Sequence, residues 1–332
     1  MSKTTITKAF LASMLKELSA DYVVTAPVRN GKVLEFLRVS GDTEIVMNDE
    51  IPYKSAKEVF FPQVEKLLTF KDGDVQAHMA EEKHIVFGLK PCDAEALRVL
   101  HAVFMTGKYQ DPFVETRFAN SIVIAVGCEK EKPGCFCAER GIDKAFSDYC
   151  DILLYPEGEE AYRVDYLSDK GRALLGRFDE TRDIEPPEGR QAAAPDPNVK
   201  KVELSPELDE AELFDIIDWG KASEICQGCG ICTFICPTCH CFDLKDVTAD
   251  GETCRYRCWD SCMYPRFTLH ASGHNPRMSS KERYRQRVLH KYLYVNKNFG
   301  YIACTGCGRC IRSCPAGMSI KKVVEGVMEV LP

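Results

Sequence analysis

No apolar run in the 332-residue chain approaches the roughly 18 residues that a membrane-spanning helix needs. Nothing near the start resembles a secretory leader either, because the stretch from Phe10 to Leu18 is broken by Ser13, Lys16 and Glu17. A soluble, cytoplasmic chain without a membrane span is expected. Also missing are a G-x-G-x-x-G after a strand, a G-x-x-x-x-G-K-[ST] loop, a G-x-S-x-G elbow and an H-E-x-x-H pair. No flavin or NAD site is predicted, and no residue stands out as catalytic. Surplus positive charge is absent as well: the formal net charge is -7, which gives nucleic acid no general attraction and leaves it outside the expected partners.

What the chain holds in quantity is cysteine, 18 residues of it. A cytosolic compartment keeps thiols reduced, and a chain this long can build a core without staples, so these cysteines read as metal ligands rather than a disulfide framework. Residues Cys226-Gln-Gly-Cys229-Gly-Ile-Cys232-Thr-Phe-Ile-Cys236-Pro237 match the C-x2-C-x2-C-x3-C-P run of bacterial cluster binding at each ligand position, and Cys304-Thr-Gly-Cys307-Gly-Arg-Cys310-Ile-Arg-Ser-Cys314-Pro315 repeats it. The tight turn lets three thiolates reach one face of a cubane, and its glycines let backbone N–H groups approach the sulfurs. The cysteine before proline points to the neighbouring cluster. This crossed pairing assigns Cys226, Cys229, Cys232 and Cys314 to one [4Fe–4S] cluster, and Cys304, Cys307, Cys310 and Cys236 to another. Two zinc sites would need only two cysteine pairs each, leaving the third cysteine and the proline-terminated fourth of both runs unexplained.

Helical spacing of Ile6, Phe10, Leu11, Met14, Leu15 and Leu18 predicts an amphipathic helix over 5–18. A second helix is expected over 55–70, with Val59, Phe60, Val64, Leu67 and Leu68 inward. Strand-like runs occupy 22–24, 33–37, 44–47, 84–89, 121–126, 152–155 and 162–164. Helices are expected from Ala94 to Met105, capped by Asp93, and over 169–178. That alternation predicts an α/β domain over 1–180. The Pro-, Ala-, Glu- and Asp-rich stretch 181–206 reads as a linker. Helical patterns over 209–225, 281–296 and 320–330 then predict a mostly α domain over 207–332. A long insertion, 237–303, separates the two cysteine runs, and helices enter and leave the cluster loops. The fold class is therefore α+β multidomain: an α/β domain followed by an α-helical-ferredoxin-like dicluster domain.

Weaker constellations surround the two runs. Cys92 follows one predicted buried strand and Cys128 the next, with Cys135 and Cys137 close behind. Carboxyl ends of neighbouring parallel strands converge on one crevice. Four thiols meeting there predict a third [4Fe–4S] cluster, against the alternatives of buried structural cysteines or a zinc knot. Lys90, Lys130 and Lys132 either offset cluster charge or are simply solvated. The insertion supplies Cys239 and Cys241 around His240, then Cys254, Cys258 and Cys262. A further centre on Cys239, Cys241, Cys258 and Cys262, with Cys254 as alternative ligand and His240 as a substitute, competes with thiols that merely pack or stay free. Cys150 reads as an ordinary buried thiol. Arg277, Lys281, Arg283, Arg285, Arg287, His290 and Lys291 form a basic stretch that is a counter-charge for the clusters, a docking face for an acidic partner, or a solvated helix face.

Gly88-Leu-Lys-Pro-Cys92-Asp93, Gly127-Cys128, Cys135-Phe-Cys137, Cys236-Pro-Thr-Cys239-His-Cys241-Phe-Asp243, Trp259-Asp-Ser-Cys262 and Arg283-Tyr-Arg-Gln-Arg-Val-Leu-His290-Lys-Tyr292 together resemble one family across nearly the whole chain. It is the family of the anaerobic sulfite reductase A subunit and the β subunit of cytoplasmic sulfhydrogenases. Cys254 and Cys258 depart from its usual pattern. The resemblance implies the third, N-terminal cluster and an electron-transfer subunit. The implied partners are a flavin subunit that binds NAD(P)H and a catalytic subunit of the nickel–iron hydrogenase, sulfite reductase or heterodisulfide reductase type. A Cys-Cys-Gly triplet, as in heterodisulfide reductase catalytic subunits, is missing, so the chain reads as wiring. Two other functions compete: direct reduction of a small sulfur compound or disulfide at an accessible cluster, and an iron–sulfur redox sensor.

Overall fold

The computed structural model describes residues 5–182, 184, 192–193 and 196–331. Residues 183, 185–191, 194 and 195 of the expected linker lie outside the described residues. Farther along the same stretch Val202 and Leu204 are buried in the C-terminal core, and the Val202 amide donates to the Glu139 carbonyl at 2.9 Å.

Among the described residues nine strands lie in the N-terminal half: β1 Thr5–Thr7, β2 Val23–Asn30, β3 Val33–Arg38, β4 Val64–Lys71, β5 Asp74–Ala77, β6 His84–Leu89, β7 Ser121–Val126, β8 Ile152–Glu157 and β9 Ala161–Tyr166. Two more, β10 Phe242–Ala249 and β11 Glu252–Trp259, come from the insertion. The larger sheet runs β1-β9-β8-β7-β6-β2-β3, with β2, β6, β7 and β8 parallel to one another and the outer strands antiparallel. Its centre is apolar without alternation, since all residues of β6 and β7 are buried, as helices on both faces require. The helix Lys8–Leu18 seals one face with Leu11, Met14, Leu15 and Leu18. Phe60, Phe61, Leu97, Leu100 and Val114 seal the other against Val86, Leu89 and Val123.

Where the structure departs from the expected elements, the reasons are local. The helix expected over 55–70 is one short turn, Lys57–Phe60, followed after Pro62 by strand β4. Pro62 removes a backbone donor, and the alternating burial of Glu65, Leu67 and Thr69 is a strand period. The run 44–47 contributes a single bridge, Val28 with Ile45. Asp93 is not the cap. Lys90 holds that position, Pro91 opens the helix Pro91–Met105, and the Asp93 carboxylate accepts the Lys90 amide from the first turn at 3.4 Å. The expected helix 209–225 is two pieces, Glu210–Ile216 and Trp219–Ser223. That over 281–296 is Ser280–Leu289, a π-helical turn His290–Tyr294, and Val295–Phe299.

The insertion is not simply helical. Its hairpin turns at Asp250-Gly251, both at positive φ, and β11 pairs antiparallel with β4 to form a second sheet, β10-β11-β4-β5. Arg257 crosses that junction, 2.5 Å from both Glu65 and Asp111, and Arg117 adds a 2.7 Å contact to Glu65. Among the described residues no helix is long and apolar enough to cross a membrane.

Candidate iron–sulfur centre

The glycine-rich turns set the geometry of the two cysteine runs. Gly306 and Gly308 have φ of 64° and 71°. A Cβ on either would drive into the carbonyl oxygen of Phe136 or Gly134. Glycine is therefore required twice over, for a left-handed backbone and for the close approach of another loop. That other loop is the Cys135-Phe136-Cys137 segment, whose Phe136 amide donates to the Gly306 carbonyl at 2.8 Å. The N-terminal thiols and the second run are thus locked backbone to backbone.

One cavity is lined by Cys226, Cys229, Cys232 and Cys314, with Tyr284 and Arg287 in its wall. The Met318 amide donates to Cys314 Sγ at 3.3 Å. Another is lined by Cys304, Cys307, Cys310 and Cys236, with Arg287 and Lys291. Cys310 borders both cavities. Three of the N-terminal four lie beside the second cavity. Cys92 and Cys137 pack directly with Cys307, and Cys135 Sγ lies 3.4 Å from the Cys307 carbonyl oxygen. Cys128, two residues past β7, is close enough for its thiol and that of Cys137 to act on each other. Burial pushes Cys128 up to about 11, while Lys90 works the other way.

The thiols of the insertion divide. Cys239, Cys241 and Cys262 line a third cavity with His240, His290, Arg287 and Lys291. Cys254 and Cys258 do not border it: they sit on β11 opposite Thr69 and Val64 of β4. Cys254 Sγ is 3.1 Å from Glu252. Cys150 is a half-buried thiol against the sheet, raised by burial. Among the described residues no three His, Cys, Asp or Glu side chains converge closely enough to share a single metal ion. The thiols instead line the walls of cavities.

The basic stretch sorts by helical spacing. Arg283, Arg287 and Lys291 point inward, while Arg285 lies over the Phe214 ring at 3.7 Å. Arg283 donates to the Met278 carbonyl at 2.6 Å. Lys291 Nζ is 3.2 Å from Cys236 Sγ, and Arg287 Nη1 is 3.6 Å from Cys239 Sγ. Both cations are buried, and among the described residues neither meets a carboxylate. Burial works against the Lys291 charge, yet Cys236 and Cys239 outweigh it and hold the ammonium above its usual range. A hydrogen bond from Cys239 lowers Cys236, and Lys291 and Arg287 lower it further. Burial pulls His240 down to about 4 and His290 to about 3, so both imidazoles are neutral. Lys57, missed in the sequence, donates to the Cys239 carbonyl at 2.8 Å and lies 3.9 Å over the Trp259 ring.

Cations gather differently around the N-terminal thiols. Lys90 and Lys132 both clasp Asp49, at 3.3 and 2.6 Å. Arg309, also unread in the sequence, makes two bonds to Asp93, at 2.6 and 2.9 Å, and donates to the Pro52 carbonyl. It ties the Cys92 helix to the Cys307–Cys310 loop. Cavities walled by four thiols, together with buried cations that lack carboxylates, fit anionic [4Fe–4S] groups.

Residues 225–318 match the 4Fe-4S dicluster domain family. Sulfhydrogenase 2 subunit beta of Pyrococcus furiosus is 31% identical over 327 residues, spanning 96% of this chain and 95% of that relative. No solved structure matches the chain.

Proposed function

Because the chain belongs to the family of sulfhydrogenase β and anaerobic sulfite reductase A subunits, and is an iron–sulfur electron-transfer subunit, we propose that it links a flavin- and NAD(P)H-binding subunit to a catalytic subunit. That catalytic partner is of hydrogenase, sulfite reductase or heterodisulfide reductase type, and the chain itself turns over no substrate. Three ligand sets serve this role: Cys226, Cys229, Cys232 and Cys314; Cys304, Cys307, Cys310 and Cys236; Cys92, Cys128, Cys135 and Cys137. When bound, a [4Fe–4S] group supplies one-electron redox chemistry.

Contiguity of the three sets carries the reading. Cys307 of the second set packs against Cys92 and Cys137 of the third, and Cys310 of the second borders the cavity of the first. The array runs from the sheet crevice to Cys229, which is exposed while the other cysteines are buried or half-buried. Arg287 borders the cavities of the first and second sets, and Lys291 that of the second, where its Nζ lies 3.2 Å from Cys236 Sγ. The Met318 amide gives Cys314 a hydrogen bond of the kind that tunes cluster potentials.

Anaerobic isolation from the native source is expected to bring down a flavin-binding chain and a redox catalytic chain. In that complex Cys229→Ser is expected to stop electron flow from NAD(P)H to the catalytic subunit while flavin reduction persists. A chain recovered alone and without iron, or one that unaided reduces a sulfur compound or disulfide, would overturn the reading.

A further inference from the structure

Cys239, Cys241 and Cys262 belong to none of the three sets, yet they face one cavity. The fold brings them together from two segments. Cys239 and Cys241 follow Pro237, and Cys262 comes after β11, held there by the Asp260 amide donating to the Cys241 carbonyl at 2.9 Å.

The charge around this cavity is lopsided. Lys57, Arg287 and Lys291 are 3%, 3% and 4% exposed, and among the described residues none has a carboxylate partner. An isolated buried charge is strongly unfavourable, so three of them need anions close by. Arg287 and Lys291 also border the second ligand set and share its charge. Lys57 does not border that cavity. It donates to the Cys239 carbonyl, and the thiols that act on its charge are Cys239, Cys236 and Cys241. Thiolates at Cys239 and Cys241, beside that of Cys236 in the second set, place negative charge on the Lys57 side of the cavity.

We infer that Cys239, Cys241 and Cys262 hold a fourth [4Fe–4S] group through three thiolates, with its fourth iron free of cysteine and turned to the His290 wall of the cavity. The thiols lose their protons to solvent as the group binds. No fourth thiol borders the cavity, and Cys258 and Cys254 stand apart on β11. His240 has Nδ1 committed to the Thr238 carbonyl at 3.0 Å, whereas the His290 imidazole makes no hydrogen bond among the described residues. The inference rests on the three-set reading, because it counts iron beyond those sets.

The test is iron and sulfide analysis of the full chain, purified anaerobically, with Mössbauer and EPR spectra. The wild type is expected to carry about four irons and four sulfides beyond the three sets. Mild oxidation is expected to convert one group to a [3Fe–4S] form, because one iron has no thiolate. Cys262→Ser is expected to lose that form and about four irons, while Cys258→Ser and Cys254→Ser keep both. His290→Asn is expected to alter the spectrum of this group alone. A wild type with iron for three sets only would overturn the inference and leave the three-set reading intact, even if Cys262→Ser failed to fold. Iron loss in Cys258→Ser equal to that in Cys262→Ser would overturn the three-thiol assignment. A chain lacking iron at the three sets would instead defeat the reading on which it rests.

Discussion

Two sets of buried cations occupy this molecule on opposite terms. Arg309 meets Asp93 through two hydrogen bonds, with both side chains all but inaccessible, and buried Arg257 makes one bond each to buried Glu65 and partly exposed Asp111. Arg287, Lys291 and Lys57 are as deeply buried and meet only sulfur, carbonyl oxygen, hydroxyl or an aromatic ring. The difference separates architecture from cargo. A cation matched by a carboxylate completes its own charge and can hold two segments together whatever else is bound. A cation matched only by thiols is completed by what those thiols carry.

The sharpest break of this contrast is Arg309→Met, which strands Asp93 in the interior. Removing one member of a buried pair costs about 3–5 kcal/mol. Denaturant unfolding should show that loss, and Arg309→Met with Asp93→Leu should recover much of it; an Arg309→Met chain as stable as wild type would defeat the architectural role. Lys291→Met strands no carboxylate, so its effect should appear in redox behaviour instead. Without that cation the more negative, reduced state is less favoured, and the potential of the second set should fall by on the order of 60 mV, a tenfold change for one electron. Redox titration followed by EPR checks this, and an unmoved or raised potential would refute it.

His84 provides an uncharged reference. Its imidazole is buried at the start of β6 with neither ring nitrogen hydrogen-bonded, and burial lowers its pKa, with Arg117 and Arg38 adding to the effect and Glu82 opposing it. Its folded state binds the proton less readily than the unfolded chain does, so stability is full above about 6.5 and falls as pH drops below that value. Unfolding midpoints of wild type and His84→Gln should converge on acidification; a constant gap would rule this out. The smallest effect is expected from Arg285→Ala on the outer face of the same basic helix. It should lose about 0.5–1 kcal/mol of ring stacking and no iron, measured by unfolding and metal analysis together.

Much of the candidate site was legible because ligand spacing is local. The runs from Cys226 and Cys304 are written within a few residues each, and their cavities gather the eight cysteines that the crossed pairing names. The sheet crevice was legible too, since Cys92 and Cys128 directly follow the apolar stretches that became β6 and β7. What escaped were relations across the chain. Arg309 and Asp93 are 216 positions apart, and Lys57 and Cys239 are 182 apart. No periodicity announces such pairs. Other misses had signals that were outvoted. Pro62 and the Asp-Gly turns at Asp72-Gly73 and Asp250-Gly251 mark hairpin edges, but the apolar spacing of Val59, Phe60, Val64, Leu67 and Leu68 imitates a helix. Cys258 sits between Cys254 and Cys262 in sequence, yet a strand points it away from the cavity its neighbour Cys262 enters.

The interlocked loops also impose a timetable. Cys135 rests on the carbonyl of Cys307, 172 positions later in the chain. Synthesis at about 5–20 residues per second leaves an interval on the order of ten to thirty seconds between them. Throughout that interval the N-terminal thiols have emerged while the wall that covers them has not yet been made. If the sheet crevice holds the proposed group, its loading is a task for the finished chain, with these thiols kept reduced until the last stretch of polypeptide arrives.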